Sequence, residues 1–144
     1  IDQSKREGIE CLAFGDLFLE DIRAYREKNL ADTGITPIFP LWGIPTDRLA
    51  REMIAGGLKA RIACLDPKQL PKEFAGREFD AALLDDLPPG VDSCGERGEF
   101  HTCVYGGPMF RRPLELVPGE VVARGGFVFA DLTMSEKWIA RDGR

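Results

Sequence analysis

The densest group of reactive side chains in this 144-residue chain lies between Asp92 and Thr102. The segment reads DSCGERGEFHT and holds two glutamates three residues apart, Glu96 and Glu99, with the only histidine, His101. A carboxylate pair can bind an ammonium ion or a metal, or act as a general base, and a histidine can carry a proton near neutral pH. These residues, with the Thr102 hydroxyl, predict a catalytic site. The alternative is a polar loop whose charges face water.

A second candidate site follows an apolar run at residues 9–14, where the chain continues with Gly15 and Asp16. Ligands of α/β proteins bind at the carboxyl ends of strands, where glycine permits close approach and a carboxylate can accept from a ribose or an amine. The alternative is a tight turn with a helix-capping aspartate. Trp42 lies beside a glycine after another apolar run, so it can stack on a base or belong to the core.

A metal site is the weakest of the candidate interpretations. Cys94, His101 and Cys103 are three possible ligands, but their spacing matches no familiar zinc pattern, so the sequence predicts no metal site. The four cysteines include no C-x-x-C pair and are typical of free thiols in a reducing cytoplasm. Cytoplasmic localisation is therefore expected.

Charge and hydropathy exclude several function classes. The net charge is −5 and no basic stripe is present, which argues against nucleic-acid binding. No apolar run approaches the roughly 20 residues that span a bilayer, so no membrane segment is predicted. The phosphate-binding patterns G-x-x-x-x-G-K-[ST] and G-x-G-x-x-G are both absent from the sequence.

The elements that must position these residues alternate in type. Short apolar runs at 9–14, 36–39 and 60–65 predict strands, and periodic segments at 17–31 and 46–54 predict helices. Such alternation favours a parallel sheet with helices on its faces. A further helix is predicted at 76–87, and strands are predicted at 100–105 and 121–128. The sequence thus predicts an α/β portion followed by a smaller α+β portion.

Three segments resemble the diphthine–ammonia ligase family. Residues 14–23 (FGDLFLEDIR) are similar to its FGD-[IL]-x-L-E-D-x-R segment, and residues 40–42 (PLW) match its PLW. Residues 94–102 (CGERGEFHT) and 104–110 (VYGGPMF) resemble CGE-x-GE-[FY]-H-T-x-V-x-x-GP-x-F. The segments occur in the family's order. One departure is Gly106, where aspartate is expected in many relatives.

The resemblance implies a fold and a domain organisation. It implies that residues 1–40 are the end of a Rossmann-like adenine-nucleotide domain of the pyrophosphate-loop type, and that residues 41–144 are an α+β acceptor domain. It implies ATP and Mg²⁺ as cofactors, with Gly15 and Asp16 at the adenosine end. The family's phosphate loop is expected upstream of residue 1, so this chain alone is expected to bind ATP weakly.

The resemblance also implies a reaction. ATP adenylates an acceptor carboxylate with release of pyrophosphate, and ammonia displaces AMP to leave an amide. Glu96, Glu99, His101 and Thr102 are then the expected residues at the acceptor and ammonia end. The partners implied are ATP, ammonium, and an acceptor that is either a protein resembling elongation factor 2 or a small carboxylate; a homodimer is compatible with the sequence. The alternative is a non-catalytic nucleotide- or protein-binding module.

Overall fold

The computed structural model describes residues 2–136 and divides into two compact units, Ile1–Pro45 and Thr46–Arg144. The chain is a mixed α/β protein with one parallel sheet of two strands and one antiparallel sheet of four strands. The α/β class is therefore confirmed, whereas the Rossmann-like character of the first portion and the division at residues 40 and 41 stay predictions. Within residues 2–136, no helix has the length and apolar character required to cross a membrane.

The first unit contains two short helices and two three-residue strands. In chain order they are α1 (Asp2–Arg6), β1 (Cys11–Ala13), α2 (Glu20–Leu30) and β2 (Thr36–Ile38). β1 and β2 are parallel, with Cys11 opposite Thr36. The Phe14 N–H donates to the Ile38 carbonyl at 2.9 Å and continues the pairing at the carboxyl ends. Two predicted strands and the helix between them are thus confirmed.

The second unit is built around the four-stranded sheet. Its elements are α3 (Thr46–Ala55), β3 (Lys59–Leu65), a 3₁₀ turn (Lys72–Phe74), α4 (Ala81–Asp86), β4 (Phe100–Gly106), β5 (Leu116–Arg124) and β6 (Phe127–Met134). The strand order is β4-β3-β6-β5, and every pairing is antiparallel. β4 is thus an edge strand of this sheet.

The expectation that the run at 60–65 joins β1 and β2 in one parallel sheet is wrong. β3 pairs antiparallel with β4 along most of its length and with β6 at Cys64 and Leu65. On the side of β3 that faces β6, the rest of the strand forms hydrogen bonds with residues 76–79, where the Phe79 N–H donates to the Ala60 carbonyl at 2.8 Å. A short apolar run shows that a strand is buried but carries no information on the direction of its partners.

Two further expectations need correction. The helix predicted at 76–87 begins only at Ala81, where the Asp80 carboxylate accepts from the Leu83 N–H at 2.8 Å as an N-cap. The single strand predicted at 121–128 is a hairpin, because Gly125 and Gly126 form its turn with φ of 58° and 85°. Two consecutive positive φ angles match the twist of a tight hairpin, and glycine adopts them without strain.

The principal core lies in the second unit. Buried apolar side chains of α3, α4, β3, β4, β6 and the loop after β3 pack together, and they include Ile62, Leu65, Leu70, Leu83 and Phe100. Burying side chains of this size contributes roughly 1.5–3 kcal/mol each. This core supports the segment that leads from α4 into β4, which carries the candidate catalytic residues.

Candidate functional site

The loop at residues 92–99, called here the 92–99 loop, is organised around the carboxylate of Asp92. Its Oδ1 accepts from the N–H of Cys94 at 2.9 Å and of Glu96 at 3.2 Å, as in turns that begin with aspartate. Its Oδ2 accepts from the Thr46 hydroxyl at 2.6 Å. Asp92 is 9% exposed, and these three donors compensate for its burial. The loop is thereby attached to the first residue of α3.

A second carboxylate, that of Glu99, forms hydrogen bonds with the backbone of the same loop. Glu99 is 1% exposed; its Oε1 accepts from the Asp92 N–H and its Oε2 from the Arg97 N–H, each at 2.9 Å. Hydrogen bonds from backbone N–H groups to a charged carboxylate are stronger than those between neutral groups. Glu99 therefore connects both ends of the 92–99 loop and holds its shape.

Two glycines permit the reversal of the chain in this loop. Gly95 has φ of 68° and Gly98 has φ of 82°, angles that side chains resist. A Cβ atom at position 95 would lie 2.6 Å from the Phe100 carbonyl oxygen, whereas one at position 98 would meet nothing within 4 Å. Gly95 is therefore required by a close approach as well as by its backbone angle.

The thiol of Cys94 is held protonated. Its Sγ lies 3.4 Å from the Thr46 carbonyl oxygen, to which it donates. Burial raises the pKa of Cys94 to about 11, and the charges of Asp92 and Glu96 add to this shift. Because the thiolate is the form that attacks electrophiles and binds metals, Cys94 is a structural thiol of the loop.

The remaining candidate residues are more accessible. Glu96 is half-buried, and His101 and Thr102 are exposed at the start of β4, opposite Cys64 and Ile62 of β3. Glu96 and Glu99 follow irregular turns rather than one helical face, and only Glu99 is fully enclosed. The segment thus joins an internal carboxylate to three side chains that solutes can reach.

The fit of a metal can be judged from the same geometry. Among residues 2–136, no group of three or more His, Cys, Asp or Glu side chains is arranged to hold a metal ion. Cys94 donates to a backbone carbonyl, and Cys103 lies on β4 opposite Arg61.

Gly15 and Asp16 lie directly beyond the carboxyl end of β1. Gly15 is exposed, and a Cβ placed there would meet nothing within 4 Å, so a ligand can approach this backbone. The Asp16 carboxylate is half-buried and lies 3.5 Å from the Arg26 Nε. Phe14 and Phe39, which follow the two parallel strands, stack with ring centroids 5.6 Å apart.

Sequence reasoning missed Asp92 and Thr46 as determinants of the loop. The role of Asp92 could have been read from the sequence, because Gly95 follows it three residues later and this pattern is typical of turns that an aspartate side chain stabilises. Thr46 is 46 residues away from Asp92 in the chain, and no local pattern relates the two. Their contact depends on the packing of α3 beside the loop.

Comparison with known proteins identifies the family. The model of the diphthamide synthase C-terminal domain matches residues 45–136, which include α3, the 92–99 loop and all four strands of the antiparallel sheet. The chain therefore belongs to the diphthamide synthase C-terminal domain family. The match begins at the boundary between the two compact units.

Curated relatives extend the similarity into the first unit. The diphthine–ammonia ligase of Mus musculus is 32% identical over 134 residues, which cover 88% of this chain and 49% of the mouse protein. The diphthine–ammonia ligase of Homo sapiens is 29% identical over 132 residues, with the same two coverages. The ligase of Schizosaccharomyces pombe is 28% identical over 119 residues, 79% of this chain and 20% of the yeast protein. The chain spans about half the length of the mammalian relatives.

Proposed function

We propose that this chain carries the acceptor-binding part, and the end of the nucleotide-binding part, of an ATP-dependent amide-forming ligase of the diphthine–ammonia ligase type. The observation that carries the proposal is the family match over residues 45–136, which contains the internally bonded 92–99 loop with its accessible continuation into β4. A rigid loop that presents reactive groups from a packed scaffold is a typical arrangement for a catalytic site.

The proposed chemistry has two steps. A carboxylate oxygen of the acceptor attacks the α-phosphorus of ATP, and pyrophosphate leaves. The nitrogen of ammonia then attacks the acyl carbon, AMP leaves with the bridging oxygen, and the nitrogen loses its surplus proton to a base. Because ammonia is mostly protonated at neutral pH, a nearby base that first accepts the proton of the ammonium ion accelerates the second step.

The proposed roles of residues in the 92–99 loop and at the start of β4 rest on the exposure of their side chains. Glu96, His101 and Thr102 can be reached by solutes, so Glu96 and His101 are proposed to hold the ammonium ion and accept its proton, and Thr102 to contact the acceptor. Glu99 is proposed to take part in the same site, and its two backbone hydrogen bonds give it a positioning role as well.

ATP is proposed to contact the first unit at Gly15 and Asp16. The open backbone at Gly15 fits the approach of an adenosine, and the Asp16 carboxylate can accept a hydrogen bond from ribose. Mg²⁺ is proposed to accompany the phosphates. The acceptor is proposed to be either a protein resembling elongation factor 2 or a small carboxylate. The protein is proposed to be cytoplasmic, and a homodimer is compatible with its sequence.

A binding module without catalysis is the second candidate function. It is favoured by Glu99, whose carboxylate is enclosed and already bonded to two N–H groups, as in a purely structural loop. In that case the chain would recognise a nucleotide or a protein partner through its surface and release neither pyrophosphate nor AMP.

The test measures ammonium-dependent AMP formation in the full-length natural protein, with ATP and a panel of carboxylate acceptors. Glu96→Gln and Glu99→Gln are each expected to lower amide formation by about 10² to 10⁴, the range for a lost acid–base group, with ATP binding nearly unchanged. Glu120→Gln, an exposed residue of β5, is the control and is expected to keep full activity.

Stability measurements separate the two candidate functions. Glu99→Gln replaces one acceptor oxygen by an NH₂ group facing a backbone donor, so it is expected to lower the free energy of unfolding by about 1–3 kcal/mol. Turnover that falls in Glu96→Gln without a loss of stability supports the ligase. Full turnover in both variants, or no ammonium-dependent AMP in the natural protein, contradicts it.

A further inference from the structure

An open cavity of about 300 Å³ lies in the first unit beside α2. It is lined by Glu20, Arg23, Ala24 and Glu27 of this helix and by Trp42 of the turn that follows β2. The helical residues are spaced by three and four and therefore share one face. The volume lies at the lower end of ligand pockets and suits a group of amino-acid size.

Arg23 is held in a fixed orientation at this cavity. Its guanidinium carbon lies 4.8 Å from the ring centroids of both Phe39 and Trp42, whose planes meet at 70°. Its Nε donates to the Glu27 carboxylate at 2.9 Å. Within residues 2–136, its side chain makes no further hydrogen bond or ion pair, so its terminal nitrogens are available.

The Arg23 guanidinium, ordered by two rings and with its terminal nitrogens available, is suited to bind a carboxylate. Its terminal nitrogens form a planar fork that matches two carboxylate oxygens, and the flanking rings lower the entropy cost of ordering the side chain. An exposed arginine without such rings would have to be ordered by the ligand itself.

Glu20 provides the opposite charge at the same cavity. It is exposed and makes no hydrogen bond or ion pair among the described residues. Trp42 adds an aromatic face, which attracts ammonium groups. Glu20, Arg23 and Glu27 together carry a net charge of about −1, which disfavours a multiply charged anion such as a phosphate.

We propose that this cavity binds a small zwitterion, with the ligand's carboxylate on the Arg23 fork and its ammonium group between Glu20 and the ring of Trp42. The terminal nitrogens of Arg23, the Glu20 carboxylate and the aromatic ring are complementary to such a ligand. The site belongs to the first unit alone, so the proposal does not depend on the ligase reaction.

The experiment uses the fluorescence of Trp42 in the 144-residue chain. The sequence contains two tryptophans, and Trp138→Phe leaves Trp42 as the only one. Glycine betaine, which carries a carboxylate and a trimethylammonium group, is titrated at constant ionic strength; acetate and tetramethylammonium are titrated separately. Betaine is expected to saturate the signal in roughly the millimolar range, at least about tenfold tighter than either half.

Two variants assign the binding to the named residues. Arg23→Lys removes the fork and keeps the charge, and Glu20→Gln removes the free carboxylate; each is expected to weaken betaine binding by about tenfold or more. Arg48→Lys is the matched control, since Arg48 pairs with Glu52 four residues on, at 2.7 Å, as Arg23 pairs with Glu27. It is expected to bind betaine like the parent chain.

Far-UV circular dichroism checks that each variant is folded. If Arg23→Lys fails to fold, Glu20→Gln still tests the proposal, because the Glu20 side chain has no hydrogen-bond or ion-pair partner among residues 2–136. A folded parent chain that shows no saturable response to betaine overturns the proposal. So does equal binding of acetate, or an undiminished affinity in Glu20→Gln.

Discussion

The two compact units differ sharply in how much apolar surface they bury. In the described part of the first unit, the buried apolar side chains are Leu17, Leu30 and Ile35. The second unit encloses a continuous cluster of buried apolar side chains that runs through two α-helices and three strands of its sheet. Since apolar burial is the main favourable term in folding, the second unit has much the larger source of stability.

The strands show the same contrast. β1 and β2 have three residues each, whereas β3 to β6 have seven to nine. The first unit depends instead on surface contacts, such as the stacked Phe14 and Phe39 rings and the arginine beside them. The comparison indicates that the second unit, which carries the 92–99 loop, resists local unfolding more strongly than the first unit, which carries the cavity.

Hydrogen exchange provides the largest expected contrast. Amides of β3 are expected to exchange at least about a thousandfold more slowly than those of β1, because β3 opens only with its buried sheet. Native-state exchange followed by mass spectrometry, with peptides covering Lys59–Leu65 and Cys11–Ala13, measures the ratio. Similar protection from exchange in both strands would contradict the conclusion that the second unit is the more stable one.

Truncation of the second unit's core is expected to have the next largest effect. Ile62 is fully buried in β3, and Ile62→Ala is expected to lower the free energy of unfolding by about 2–5 kcal/mol, since it removes apolar contacts and leaves a cavity. Urea unfolding followed by circular dichroism measures this. Val121→Ala, at a position 53% exposed on β5, is the control and is expected to change stability by about 0.5 kcal/mol or less.

The two loop glycines allow a finer test of the scaffold. Gly95→Ala is expected to cost about 2–4 kcal/mol, because it combines a positive φ with a Cβ that would overlap the Phe100 carbonyl oxygen. Gly98→Ala adds only the strain of its φ and is expected to cost about 1 kcal/mol. Thermal unfolding of both variants compares them directly. Equal losses would show that the close approach at Gly95 relaxes easily.

Cysteine reactivity distinguishes the units at the level of single side chains. With its pKa raised to about 11, Cys94 is expected to carry about a hundredfold less thiolate at pH 8 than a thiol with a pKa of 9.0. Cys11 of the first unit is exposed. Iodoacetamide labelling followed by peptide mass spectrometry is expected to modify Cys11 first. Labelling of Cys94 rises only as the pH approaches 11 or the protein unfolds; equal rates at pH 8 in the folded protein would refute the assignment.

The same raised pKa has a consequence for stability. A thiol that stays protonated in the folded state stabilises the protein below its unfolded-state pKa, near 9.0, and this contribution is lost as the pH rises towards 11. Cys94→Ser is expected to flatten this loss of stability between about pH 9 and pH 11, measured by urea unfolding at a series of pH values. An unchanged pH profile in Cys94→Ser would assign the alkaline loss to other groups.

Local patterns predicted several features of the candidate site. Two glycines, two glutamates and a histidine within a short segment identified the 92–99 loop and the start of β4 before any contact was known. The opposite exposures of Glu96 and Glu99 were not predictable, since both are acidic residues in a polar stretch. Which of them is enclosed depends on the N–H groups of Asp92 and Arg97, which become available only when the loop closes.

The amino-acid sequence alone predicted most of the strands and the helices at 17–31 and 46–54, whereas it misplaced the start of α4 and missed the turn between β5 and β6. The predicted elements depend on apolar periodicity and on glycines that end a helix, both of which act over a few residues. The tertiary structure decides the pairing of β3 with later strands, the contact of Thr46 with Asp92, and the place of Arg23 beside Phe39 and Trp42. Each of these joins residues distant in the chain, and its free energy is gained only when the surrounding elements pack together.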